Sequence, residues 1–129
     1  MCIRDSPYSV YDVLIGEKSA EESLVKAEAA GYDVIGANSD LIGAEIELLD
    51  LDRREYRLKD ALLNFEAKYD FIVLDCPPAL GILTLNGLVA SDSVIIPMQC
   101  EYYALEGLTA LLDTIDRISS SLNPKLKVE

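Results

Sequence analysis

The chain contains no histidine. That absence excludes imidazole-based triads, histidine metal sites and the usual side chain for proton transfer near neutral pH. Carboxylates and backbone groups are left to carry any chemistry. Cysteine is scarce and odd in number: Cys2, Cys76 and Cys100 show no C-x-x-C spacing, so neither a disulfide framework nor a zinc site is supported. Basic residues are outnumbered, 11 Lys and Arg against 23 Asp and Glu, and a formal net charge of −12 makes the chain a poor match for DNA or anionic lipid. No apolar run approaches the ~18 residues of a membrane span. The N-terminus lacks the charged start and apolar middle of a signal peptide. The reading is a cytoplasmic globular protein with free thiols and no membrane partner.

What is present is apolar bulk. Half of the 129 residues are apolar, enough for one modest domain with a real core. Short β-rich runs at Asp33–Ala37, Phe71–Asp75 and Ser93–Met98 alternate with longer amphipathic stretches. This pattern predicts an α/β domain with a parallel sheet whose strands are covered on both faces. Ser6-Pro7 starts a helix that Gly16 ends, and the Ser-x-x-Glu box at Ser19–Glu22 opens a second that Gly31 stops. Leu41–Lys68 reads as one long helix or two joined near Asp52–Tyr56. Thr84–Ala90 and Glu106–Leu122 complete the set, the last ended by Asn123-Pro124. Acidic residues mostly occupy helical positions, so a solvated face is the simplest account of Glu45, Glu47 and Asp50.

Chemistry concentrates where the run Phe71-Ile72-Val73-Leu74 ends on Asp75 and then breaks at Pro77-Pro78. Burying an unpaired carboxylate is costly, so a strand that ends on one calls for a metal, water or donor. The C-terminal edge of strands in an open α/β sheet is also where ligands bind. A magnesium ion keeps several waters, and a single aspartate is a sufficient contribution from one strand. The alternative is an aspartate that caps the following turn. Two successive prolines stiffen the loop and Gly81 then permits a turn. Weaker candidates share that edge. Asn38 and Asp40 fit a ligand edge or the N-cap of a helix at Leu41, and Glu101-Tyr102-Tyr103 fits a nucleotide-side loop or a structural one. Cys76 and Cys100 fit small buried residues, and Lys125 and Lys127 are too few for a DNA site.

Three stretches together are specific: Asp75-Cys76-Pro77-Pro78-Ala79-Leu80-Gly81, then Leu83-Thr84-Leu85-Asn86, then Ile95-Ile96-Pro97-Met98-Gln99-Cys100-Glu101-Tyr102-Tyr103-Ala104-Leu105-Glu106-Gly107. With Ala37–Leu48 and Arg54–Leu58 upstream, they resemble the ParA/Soj family of partitioning ATPases, from about Tyr8 to Glu129. The resemblance implies a doubly wound P-loop NTPase-like fold, ATP with Mg²⁺, and an ATP-dependent homodimer that binds DNA without sequence preference. It further implies a ParB-type partner and a place on the nucleoid. By position, Asp75 becomes the Walker B carboxylate and metal ligand, and Cys76, Pro77, Pro78 and Gly81 belong to the nucleotide-sensing loop. Such chemistry works by positioning and charge neutralisation and needs no histidine.

Departures from the family pattern shape the rest of the reading. No Gly-x-Gly-Lys loop occurs, nor the following strand that ends in a water-positioning aspartate. No catalytic residue is therefore assigned. Met1–Ser6 do not resemble the family and read as a scar, with residues 7–129 as a partial ATPase domain. An internal fragment of this kind is expected to form an incomplete sheet of three strands, none of them natural neighbours. It is also expected to expose apolar faces, to aggregate, to hydrolyse no ATP alone and to bind no DNA. A MinD-like relative, or an interaction module that lost its P-loop, is the alternative reading. The Gln99–Gly107 run favours the ParA/Soj branch.

Overall fold

A computed structural model describes residues 7–65, 67–77, 79–98 and 104–129. They fall into two compact units, Met1–Phe71 and Ile72–Glu129.

In the first unit, helix α1 spans Val10–Ile15, three residues shorter at its start than Ser6-Pro7 suggests. The cap is Ser9. Its Oγ accepts from Tyr11 N at 3.2 Å, and its own N–H donates to the Asp12 carboxylate at 2.7 Å. Together they satisfy donors that a helix start leaves open. Gly16 ends the helix in the left-handed region, φ 86°, as its position predicts. A side chain there is strained by that backbone conformation, and a Cβ would also displace the Arg57 guanidinium, 2.5 Å away. That guanidinium donates from Nε to the Leu14 carbonyl at 2.9 Å, filling an acceptor in the last turn of α1.

The second predicted helix is not there. The Ser19–Glu22 box does close, with Ser19 N donating to Glu22 Oε2 at 3.0 Å and Glu22 N to Ser19 Oγ at 3.2 Å. It encloses a single turn. The chain then extends into β1 (Val25–Ala27), which pairs antiparallel with β2 (Tyr32–Val34) in the register Val25↔Val34, Lys26↔Asp33, Ala27↔Tyr32. Reciprocal capping reports how a helix begins, not how far it runs. Gly31, read as a helix stop, instead serves the hairpin turn, its N–H donating to Ala27 O at 3.0 Å. The run Asp33–Ala37 is thus a shorter strand, and its partner is a sequence neighbour in the opposite direction.

Leu41–Lys68 divides as two helices. Helix α2 (Leu41–Glu47) continues into a 3₁₀ turn at Leu48–Asp50, and α3 spans Arg57–Leu62, with the break near Asp52–Tyr56. Helix α1 packs on both α2 and α3. Val13, Ala20 and Phe65 form a buried cluster flanked by Leu24, Ile35, Ala61, Leu62 and Tyr69, while Ala44 and Leu48 are wholly buried. Fully burying a leucine stabilises the fold by about 1.5–3 kcal/mol.

The second unit is built from α4 (Ile82–Ala90), β3 (Ser93–Val94), α5 (Ala104–Ser121) and β4 (Lys127–Val128). Helix α4 packs on α5, and the buried apolar residues are Leu88, Val89, Ile115, Ile118 and Leu126. Of the predicted apolar face of α5, Ile115 and Ile118 are buried, Leu108 and Leu111 half-buried, and Leu112 exposed. Asn123 ends α5 and reaches back: its Nδ2 donates to Leu88 O at 2.9 Å and Ser91 O at 2.7 Å. These are carbonyls at the C-terminus of α4 that the helix itself leaves without donors. Strand β3 is shorter than the expected Ser93–Met98 and pairs in parallel with β4, a strand absent from the sequence reading, in the register Ser93↔Lys127 and Val94↔Val128. Phe71–Asp75 is not a strand. An apolar run suited to cover on both faces has no pairing partner among the described residues, and it remains irregular.

Candidate functional site

Asp75 follows that irregular run and is exposed, so the desolvation argument for a buried carboxylate is not realised in this arrangement. Its chemistry nevertheless suits a hydrated divalent cation, which takes oxygen ligands and retains water. Among the described residues no group of three or more Cys, Asp or Glu is gathered to hold a metal alone. Asp75 therefore fits as a single oxygen ligand that needs phosphate and water to complete a magnesium shell.

Cys76 is exposed as a residue, yet its sulfur lies against α4 at Gly87. Partial burial pushes its thiol up from the usual value, and the Asp75 charge adds to the effect. Pro77 is exposed; Pro78 lies outside the described residues. Gly81 occupies the N-cap of α4 in an extended conformation, and its carbonyl accepts from Leu85 N at 3.0 Å. The loop is tied to the helix by a residue to which the sequence reading gave no role. Thr84, 6% exposed, places its Oγ1 2.5 Å from Ala79 O and 3.3 Å from Pro77 O. A hydroxyl in the first turn of a mostly apolar helix is the available signal.

Asn38, Asp40, Glu45, Glu47 and Asp50 belong to the first unit. Asn38 and Asp40 do not cap α2 through their side chains; Asn38 Oδ1 accepts from Asp40 N at 3.2 Å, and its Nδ2 donates to Asp40 Oδ2 at 3.0 Å. Asn38 thus shapes the entry turn. Glu47 accepts from the Tyr11 hydroxyl at 2.9 Å, an attachment that raises the tyrosine pKa. Glu45 and Asp50 are exposed, as a solvated face predicts. Cys100, Glu101, Tyr102 and Tyr103 lie outside the described residues. Among the described residues no helix is long and apolar enough to cross a membrane.

Residues 2–128 match the family model AAA_31, described as an AAA domain. The chain belongs to this family. It is 52% identical over 94% of its length to the chromosome partitioning protein ParA of Myxococcus xanthus, covering 43% of that protein. It is 48% identical over 97% of its length to the sporulation initiation inhibitor protein Soj of Bacillus subtilis, covering 49% of it. Among solved structures it resembles a cobyrinic acid a,c-diamide synthase from Mycobacterium smegmatis with bound ATP analog and magnesium. That likeness has a TM-score of 0.91 and 42% identity, over 98% of this chain and 52% of that one. The ParA/Soj resemblance and the α/β P-loop NTPase-like fold class are thereby borne out, with strands few, short and differently bounded than expected. This AAA-family chain spans about half the length of the curated relatives it matches.

Proposed function

We propose that this chain carries the Walker B carboxylate and the nucleotide-sensing loop of a ParA/Soj-type ATPase that segregates DNA. One observation supports it most: identity of about half to ParA and Soj proteins over nearly the whole chain, across the segment in which Asp75 begins a loop ending on α4. Asp75 would hold Mg²⁺, and Cys76, Pro77, Pro78 and Gly81 would line the nucleotide side. The ion, when bound, neutralises charge on the phosphates. This reading brings ATP, a homodimer partner, a ParB-type protein and non-specific DNA as binding partners of the whole ATPase, in the cytoplasm and on the nucleoid. With a net charge of −12, these 129 residues are not themselves a DNA-binding surface.

The test has two arms. Replacing the aspartate of Bacillus subtilis Soj that aligns with Asp75 by alanine abolishes Mg²⁺-dependent ATP hydrolysis. The 129-residue chain alone hydrolyses no ATP above background, because phosphate-cradling amides and a P-loop lysine are absent from it. Retained turnover in the Soj variant removes Asp75 from the magnesium site, and turnover by the chain alone overturns the need for the loop.

A further inference from the structure

The two prolines create a problem for the loop after Asp75 that the rest of the chain must solve. Neither Pro77 nor Pro78 has an N–H, so this stretch cannot fold back on itself through those amides. Carbonyls in it that face the helix and not water need donors from elsewhere. The Thr84 hydroxyl is placed to supply one, 2.5 Å from Ala79 O and 3.3 Å from Pro77 O. One helical turn further along the same face, Gly87 is buried, and a Cβ built on it would lie 2.6 Å from Cys76 Sγ. Real Cβ atoms do not approach sulfur so closely, so Cys76 Sγ can rest where it does only because this position is bare. Hydroxyl and hydrogen stand three residues apart, which puts both on one face of the helix.

We infer that Thr84 and Gly87 form the seat that fixes the loop behind Asp75, which makes Thr84 a positioning residue for that carboxylate. The role toward magnesium rests on the reading proposed above; the seat itself does not. Thr84 touches neither metal nor phosphate in this account. It acts through Ala79 and Pro77, holding their carbonyls against the helix.

Cys76 reports the seat directly. Its alkylation by iodoacetamide, quantified peptide by peptide so that Cys2 and Cys100 do not contribute, rises above the rate of this exposed but partly shielded thiol when the loop leaves α4. Thr84→Val keeps the shape of the side chain and removes the donor; it raises the Cys76 rate several-fold, in keeping with the roughly 2- to 10-fold that one net hydrogen bond is worth. Thr84→Ser keeps the donor and restores the wild-type rate. Gly87→Ala pushes the sulfur off the helix and raises the rate with the hydroxyl intact. Amide exchange in α5, read in the same samples, reports whether the unit remains folded.

A Thr84→Val rate equal to wild type overturns the inference, and so does a Thr84→Ser rate equal to that of Thr84→Val. If Thr84→Val loses α5 protection, the decision passes to Gly87→Ala: a wild-type alkylation rate there overturns the seat. No nucleotide is involved. The seat therefore stands or falls separately from the magnesium reading, which the Soj variant decides.

Discussion

The unit before residue 72 and the unit after it meet the same demand, burial of apolar surface, in opposite ways. The first closes on itself with local devices: a capped helix, a hairpin between sequence neighbours, and α2 and α3 against α1 around Val13 and Phe65. The second has a well-packed pair of helices but leaves its β-forming runs open, with Val73 89% and Ile95 76% exposed. Helices satisfy their own backbone and need a neighbour on one face only. A doubly apolar strand needs neighbours on both edges and cover on both faces. A stretch of α/β sequence can therefore form its helices in place while its strands stay unformed.

Four measurements sharpen that contrast. The largest effect falls on the self-contained unit: Leu48→Ala, at a wholly buried site, costs about 2–5 kcal/mol by urea titration, with exchange protection lost in α1 and α2. In the second unit, Asn123→Ala leaves the buried carbonyl of Leu88 and the part-buried one of Ser91 without donors. Its cost is about 1–3 kcal/mol, read from amide exchange in α4 and α5. An unchanged exchange pattern would show that the helix pair, like the open runs beside it, does without that polar tie.

Ser9→Ala removes the α1 cap and costs about 0.5–2 kcal/mol, measured by thermal unfolding. Smallest is a pH effect. The Tyr69 hydroxyl donates to Asp33 at 2.5 Å, chiefly for which reason its pKa is raised above the usual tyrosine value. A folded pKa above the unfolded one means that the contribution is complete below the unfolded value, about 10, and disappears as pH rises through the folded value. Circular dichroism between neutral and strongly alkaline pH should show this loss in the wild type, and Tyr69→Phe should flatten it.

Much of this was legible beforehand, and the failures share one cause. The break between α2 and α3, the end of α1 at Gly16 and the existence of α4 and α5, each begun two residues earlier than expected, follow from local signals. Ser19–Glu22 misled because a capping box is satisfied within four residues and carries no information about Val25, whose β-branched side chain suits a strand. The composition of Phe71–Asp75 predicts a strand, while pairing depends on partners that composition does not contain. At the candidate site, Asp75 and its prolines stood out by residue type. Thr84 did not, because its importance lies in two carbonyls five and seven residues back along the chain.

The parallel pairing of Ser93–Val94 with Lys127–Val128 sets an order of events for the second unit. These strand ends are separated by about thirty residues, and closing a loop of that length costs entropy before any ladder bond returns it. Most of the intervening chain is α5, a local structure that forms without the ladder and shortens the distance to be spanned. The two-residue ladder is too small to lead. It should be the last contact made when the chain collapses and the first to fray when it warms, so the final residues of this chain act as a latch on helices already in place.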